Sequence, residues 1–235
     1  MLLVSSGMKD DSIRLALFSA LLLALVVAFW TSAKWGIANI NAVYAERKLN
    51  KWSHQKAVSD NELSLVTASV ERAVDLHSDN AHYVFLQAKL LEWLAYQQPQ
   101  SADLFLQQAL ASLNRSLLLR QGWPNTWLSV ASVKHRMGQY DADYSKAMRR
   151  AAALGPYKQD VTLGLIQIGF ETWSHSDVEM KKALLEAIKR GLSRSATGWQ
   201  VIALAKQYDK LSIVCTVHRR QKTASALPTK FSDCR

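Results

Sequence analysis

The residue types best suited to chemistry in this chain are its six histidines, two cysteines and eight tryptophans. His77 and His82 come nearest to a metal-binding pair, but they stand five apart across the turn signal Ser78-Asp79-Asn80. They therefore do not share a helix face as a zinc pair does, and no metal site is expected. No phosphate-cradling glycine loop, HExxH zinc helix or GxSxG nucleophile turn is present in the sequence. The expectation is a protein that is not an enzyme and takes no cofactor. The tryptophans Trp123, Trp173 and Trp199 would be platforms for sugar rings if exposed, but most of the eight fall at helical spacing, where burial is the commoner fate. Cys215 and Cys234 lie near the C-terminus around a Pro-, Ser- and Thr-containing stretch. An even pair so placed fits a disulfide formed in an oxidising compartment, and equally two free thiols.

The charge of +10 and isoelectric point near 9.7 raise the question of nucleic acid. From Lys206 onward there are seven basic residues against two acidic ones, so about half of the excess is in the last thirty residues. No basic and aromatic pattern matches a nucleic-acid module, and none is expected as a partner. On a membrane-tethered domain such a face suits anionic lipid, an acidic polysaccharide or an acidic protein surface.

Whatever these residues do, they are positioned by a chain that opens on a membrane-like segment. Leu15 to Ala33 is uncharged and mostly apolar between Arg14 and Lys34. As a helix, about 19 residues cross roughly 28 Å, close to a bilayer's hydrocarbon thickness. It lacks Pro, Gly and acids, and Trp30 and Trp35 fall where an aromatic belt belongs. A cleaved signal would need a shorter apolar core and small residues before its cut, and only Thr31-Ser32-Ala33 comes near. Lys9 and Arg14 precede the segment while Lys34, Arg47, Lys48 and Lys51 follow, so basic residues alone do not orient it. The short leading segment favours export of the long remainder, giving a single-pass inner-membrane protein with a periplasmic soluble domain.

The organisation expected is a short tail (1–14), the anchor (15–33), a helical connector (34–58), a helical domain (59–210) and a basic C-terminal tail (211–235). Beyond Ser59 the apolar residues recur at three- and four-residue steps, as in Leu63, Val66, Val70, Ala73 and Val74, which specifies an all-α fold. Turn signals at 78–80, 98–101, 121–124, 138, 155–156, 175–177 and 193–197 cut it into about eight helices joined as antiparallel hairpins.

The hairpins look alike, which predicts a tetratricopeptide-like array. In the best unit, 124–156, Trp127, Val130 and Ala131 take the large, medium and small slots of a first helix. Gly138 and Tyr140 mark the turn, and Ala151 and Pro156 take the late Ala and terminal Pro. One residue too many separates Tyr140 from Pro156, so a one-residue register shift is expected between Asp141 and Met148. A plain helical bundle would use most of the same core residues. In the repeat reading, Asn125, Leu128, Ser132, His135 and Arg136 are left over by packing and would line an inner surface able to hold a peptide or a partner's helix.

Three stretches, RSLLLRQGWPNTW (115–127), VKHRMGQYDADY (133–144) and RRAAALGPYKQDVTLGLIQIGFETW (149–173), together resemble the VpsP-like polysaccharide biosynthesis proteins of Gram-negative bacteria. Gly122-Trp123-Pro124 with Trp127, and Leu154-Gly155-Pro156-Tyr157, carry the likeness. The resemblance implies an anchored accessory factor of exopolysaccharide synthesis or export, with proteins of that machinery as partners, and it implies no catalytic residue. Two other readings stay open: a glycan-binding or glycan-active envelope protein, and an assembly factor for another envelope machine.

Overall fold

The computed structural model describes residues 5–52, 58–221 and 234. Among them the chain is entirely helical, with ten α-helices, two single 3-10 turns and no strand. It divides into two compact units, Met1–Leu86 and Gln87–Arg235.

The first unit is built on α1 (Ser5–Trp52), an unbroken helix of 48 residues, about 72 Å long at 1.5 Å per residue. Every residue from Ile13 to Trp30 is exposed, and the large apolar side chains from Leu15 to Trp30 are 54% (Val27) to 75% (Phe29) exposed. Burying eleven such side chains would be worth roughly 15–30 kcal/mol. The helix is long and apolar enough to span a membrane. The Thr31 hydroxyl is satisfied within the helix, donating to the carbonyls of Val27 and Ala28 at 3.0 Å.

The second half of α1 carries a different pattern. Ala38, Ala42, Ala45 and Trp52 recur at three-, four- and seven-residue steps and are 0–1% exposed. Small side chains on that stripe admit α2 (Asp60–Leu76) closely, and Val66, Val70, Ala73 and Val74 are the face it buries. Ser59 caps α2 through the Glu62 amide, with Asp60 and Glu62 favourable to the helix dipole in the first turn. A Lys48–Glu62 ion pair at 2.7 Å ties the two helices. The expected helical connector is thus one continuous rod with the anchor as far as Trp52; residues 53–57 lie outside the described residues. Around the turn after α2, His77 stacks on Trp35 at 4.8 Å and meets the edge of Tyr83 at 5.8 Å. His82 pairs with Glu46 at 3.3 Å.

α3 (Ala81–Gln97) gives Tyr83 and Leu86 to this first core and enters the second unit at Gln87. The second unit continues through α4 (Ala102–Leu119), α5 (Pro124–Arg136), α6 (Ala142–Leu154), α7 (Gln159–Glu171), α8 (Val178–Leu192), α9 (Ser195–Gln207) and α10 (Leu211–Gln221). The turns fall where the polar and Gly/Pro signals put them, and one further break follows α9. There Asp209, at φ 54°, takes the left-handed conformation with no Gly or Pro to announce it. Asp141 and Asp177, 36 residues apart, each cap the next helix by accepting the amide three residues on, at 2.9 and 2.7 Å.

Packing is regular. α5 touches α6 and α7, α7 touches α8 and α9, α6 touches α8, and α10 covers α8 and α9. An offset of 36 residues also superposes Thr126 on Thr162, Ala147 on Ala183, Ala151 on Ala187 and Gly155 on Gly191 in the sequence. Gly155 earns its place by closeness: a Cβ there would stand 2.9 Å from both Pro124 Cβ and Val161 Cγ1. The core of the last hairpins gathers Ile166, Phe170, Leu184, Ile188, Leu192, Val201 and Val214.

Two sequence expectations change. The register shift expected between Asp141 and Met148 is absent: α6 runs unbroken from Ala142 and buries Tyr144, Ala147, Met148 and Ala151 at regular steps. The turn before it holds Gly138, at φ 68°, and the Asp141 cap. The stretch expected to begin a basic tail at 211 forms α10, whose Val214, Cys215 and His218 are buried. Counting charge across 206–235 hid that apolar stripe. Cys215 is joined to Cys234 by a disulfide.

Candidate functional site

The five residues expected to face a partner lie along the seam between α5 and its neighbours, and most are already engaged. At its N-terminal end Asn125 Nδ2 donates to Asp160 Oδ2 at 2.6 Å. One turn on, Leu128 lies over Gly164, where an added Cβ would come within 2.6 Å of its Cδ2. At the far end His135 Nε2 meets Glu171 Oε2 at 2.8 Å. Arg136 donates to the carbonyl of Glu92 on α3 at 3.3 Å. Ser132, half-buried, sits between these rungs.

The partners fall 35 and 36 residues downstream of Asn125 and His135. The series extends once more, because the Tyr208 hydroxyl, 37 residues past Glu171, donates to Glu171 Oε1. At the other end Gln159 on α7 bonds Gln200 on α9 at 2.8 Å. Two rows of polar rungs thus lace α5, α7 and α9 at both ends, and the outward residues between them form one polar surface. Asp160, Gln167, Glu171 and Tyr208 belong to it with Asn125, Ser132, His135 and Arg136, while Leu128 packs over Gly164. The 36-residue offset was the signal that could have found them.

Glu171 is the hub. Its Oε1 also accepts from Gln167 Nε2 at 3.2 Å. With Glu171 accepting, His135 Nε2 carries a proton, and Nδ1 lies 3.1 Å from the Tyr140 hydroxyl. Burial first, then the bond to Glu171 and its charge, push the Tyr208 hydroxyl above the usual tyrosine range. Tyr140 stacks flat on His175 at 4.0 Å and meets the edge of Tyr144 at 5.5 Å. Tyr144 is fully buried. Because the Thr172 hydroxyl proton goes to the Ile168 carbonyl, Tyr144 donates to Thr172 Oγ1, at 2.7 Å. Burial raises its pKa to about 12.

These acids, bases and phenols are hydrogen-bonded to one another. Their chemistry is that of a clasp across successive hairpins. A second clasp lies on α5 and α6, where the nearly buried Lys134 ammonium bonds Asp141 Oδ2 at 2.6 Å. That bond, then the Tyr144 amide, holds the Asp141 carboxyl below its usual range.

The residues expected to shape the repeat are placed as follows. Ala131 and Ala151 are fully buried. Trp127 is half-buried, donates from Nε1 to the Gln121 carbonyl at 2.8 Å and lies beneath Lys146 and Arg150 at 5.9 and 5.7 Å. Tyr140 and Pro156 are half-buried at the two turns. Of the tryptophans considered as sugar platforms, Trp199 is 52% exposed, while Trp123 and Trp173 carry Arg120 and Lys181 over their rings. Among the described residues no group of three or more His, Cys, Asp or Glu side chains is placed to share a metal ion. Compared with known proteins, the chain matches no family model and no curated protein.

Proposed function

We propose that this is a single-pass inner-membrane protein whose tetratricopeptide-like domain lies on the periplasmic side and works as a non-enzymatic scaffold in exopolysaccharide synthesis or export. The observation that carries the reading is the polar surface of α5, α7 and α9. It joins the first helices of three successive hairpins, and Ser132, Gln167 and Arg136 stand on it half-buried or exposed. Surfaces of that kind in helical-repeat proteins hold an extended peptide or a partner's helix. The hairpin-on-hairpin packing and the 36-residue offset support the repeat assignment. The exposed apolar half of α1 supports the anchor, and the Cys215–Cys234 disulfide supports an oxidising compartment. The resemblance to VpsP-like proteins supplies the link to polysaccharide.

Affinity purification of the full chain from native membranes tests the scaffold. Stoichiometric recovery of a protein of the polysaccharide machinery is expected, and recovery of lipid alone would count against it. A C-terminal reporter active only outside the cytoplasm tests the side, with activity expected. A glycan-binding role is favoured by one separate observation, the exposed Tyr157 side chain at a pocket lined by Arg190 and Arg194.

A further inference from the structure

Away from the polar surface, the end of α8, the start of α9 and the start of α7 enclose a cavity of about 150 Å³. Its lining includes two arginines, Arg190 and Arg194, and no acidic side chain. Arg190 reaches it from the last turn of α8, and its Nε is buried without a hydrogen-bond partner. Such an atom forfeits about 1–3 kcal/mol of solvation unless something accepts from it. Arg194 is oriented twice over: it donates to the Tyr157 carbonyl at 3.1 Å and lies over the Tyr157 ring at 6.0 Å. A guanidinium has five donors, so this anchoring leaves others for a ligand.

Two hydroxyls and a helix start add to the wall. Thr162 and Thr197 line the cavity while 4% and 3% exposed. Arg194 is also the N-cap of α9 and gives its first turn no side-chain cap. The opening amides of that 13-residue helix therefore add their partial positive charge at the same place. Gly191 lets α8 and α9 come this close, since a Cβ there would stand 2.7 Å from Val201 Cγ2. At the mouth, Tyr157 is 74% exposed with its ring held by Arg194.

We propose that this cavity is an oxyanion site that takes the carboxylate or phosphate group of an acidic sugar, with the sugar ring stacked on Tyr157. Arg190 and Arg194 hold the charged group, Thr162 and Thr197 offer hydroxyls, and the α9 N-terminus completes the cradle. The charged group sits between the two arginines and the ring lies against Tyr157 at the mouth. A protein partner on the polar surface is neither needed for this site nor excluded by it.

The test is calorimetric titration of the full chain in zwitterionic nanodiscs at fixed ionic strength, with inorganic phosphate, acetate, glucuronate and glucose as probes. Saturable binding of phosphate and glucuronate is expected, with glucose not binding and glucuronate tighter than acetate by about threefold to tenfold through the aromatic platform. Arg190→Met and Arg194→Met should each weaken both anions about tenfold. Lys182→Met, which removes the same charge from exposed surface, should not. Tyr157→Ala should bring glucuronate to the level of acetate in that same variant, while phosphate weakens only by what Arg194 loses with the ring, since its bond to the residue 157 carbonyl remains. If Arg190→Met loses helicity, Arg194→Met decides alone, because that side chain is exposed. No saturation by either anion, or equal weakening by Lys182→Met and Arg194→Met, overturns the site. Equal affinity for glucuronate and acetate overturns the sugar assignment. These results are read without any partner protein, so they stand apart from the outcome of the scaffold test.

Discussion

Replacing Asp141 separates two jobs that its carboxylate does at the start of α6. One oxygen caps the helix through the Tyr144 amide at 2.9 Å, and the other neutralises Lys134, whose side chain is 8% exposed, at 2.6 Å. Asparagine caps as well as aspartate, so Asp141→Asn removes only the charge-assisted bond. Such a bond contributes about 1.5–3 kcal/mol. The Asp141 side chain is 51% exposed, and solvent screening places the cost near the lower figure. Lys134 keeps a longer contact with Gln139 Oε1 at 3.4 Å, which works in the same direction. Asp141→Ala loses the cap as well, about 1 kcal/mol more. In a chain of this size about 1.5 and 2.5 kcal/mol lower the melting temperature by roughly 3–6 °C and 5–10 °C. Adding Lys134→Met to Asp141→Asn should restore most of the loss, because no buried charge is then left unpaired.

The same pair sets a pH dependence. The folded pKa of Asp141 lies below its unfolded value of about 3.9, so its contribution is complete above that value and vanishes as pH falls through the folded pKa. The gap between wild type and Asp141→Asn should be constant from about pH 5 to 8 and close below about pH 4. Thermal unfolding followed by helical circular dichroism in detergent measures all four proteins. Asparagine and alanine variants that both melt within 1 °C of wild type, or a gap that widens in acid, would refute the reasoning.

Gly155→Ala should destabilise by about 1–3 kcal/mol, seen in the same melts, because the new methyl meets the rigid Pro124 ring and Val161 at 2.9 Å. Leu23→Arg, at the middle of the exposed apolar run, should raise the cost of membrane insertion by about 3 kcal/mol and shift protein from the carbonate-resistant membrane fraction to the supernatant. Cys215→Ser should slow migration on non-reducing gels to that of the reduced wild type and cost about 3 kcal/mol, the loop-closure value for a bridge spanning 19 residues.

The sequence carried the long apolar N-terminal helix, the helical class and nearly every turn, because those depend on local pattern: an apolar run, three-four spacing, and Gly, Pro, Ser and Asp at the breaks. It missed the break at Asp209, where a left-handed aspartate does what a glycine usually does, and so took α10 for tail. The inner-face residues were read as one helix's surplus. Their partners Asp160, Glu171 and Tyr208 were invisible to single-helix reasoning, since a rung between hairpins depends on the distance between two helices and not on either pattern alone. Trp127 shows the same limit: the sequence gives it a large-residue slot, but only the packing of α6 sets Lys146 and Arg150 over its ring.

The scaffold itself is tested most directly by site-specific photo-crosslinking in living cells. A photoreactive residue at Ser132 or Gln167 samples the polar surface of α5 and α7, and one at Ala153 or Glu186 samples α6 and α8. Covalent adducts to a protein of the polysaccharide machinery at the first two positions, and none at the second two, are the predicted result. Adducts at all four positions alike, or none to protein at Ser132 and Gln167, would contradict it.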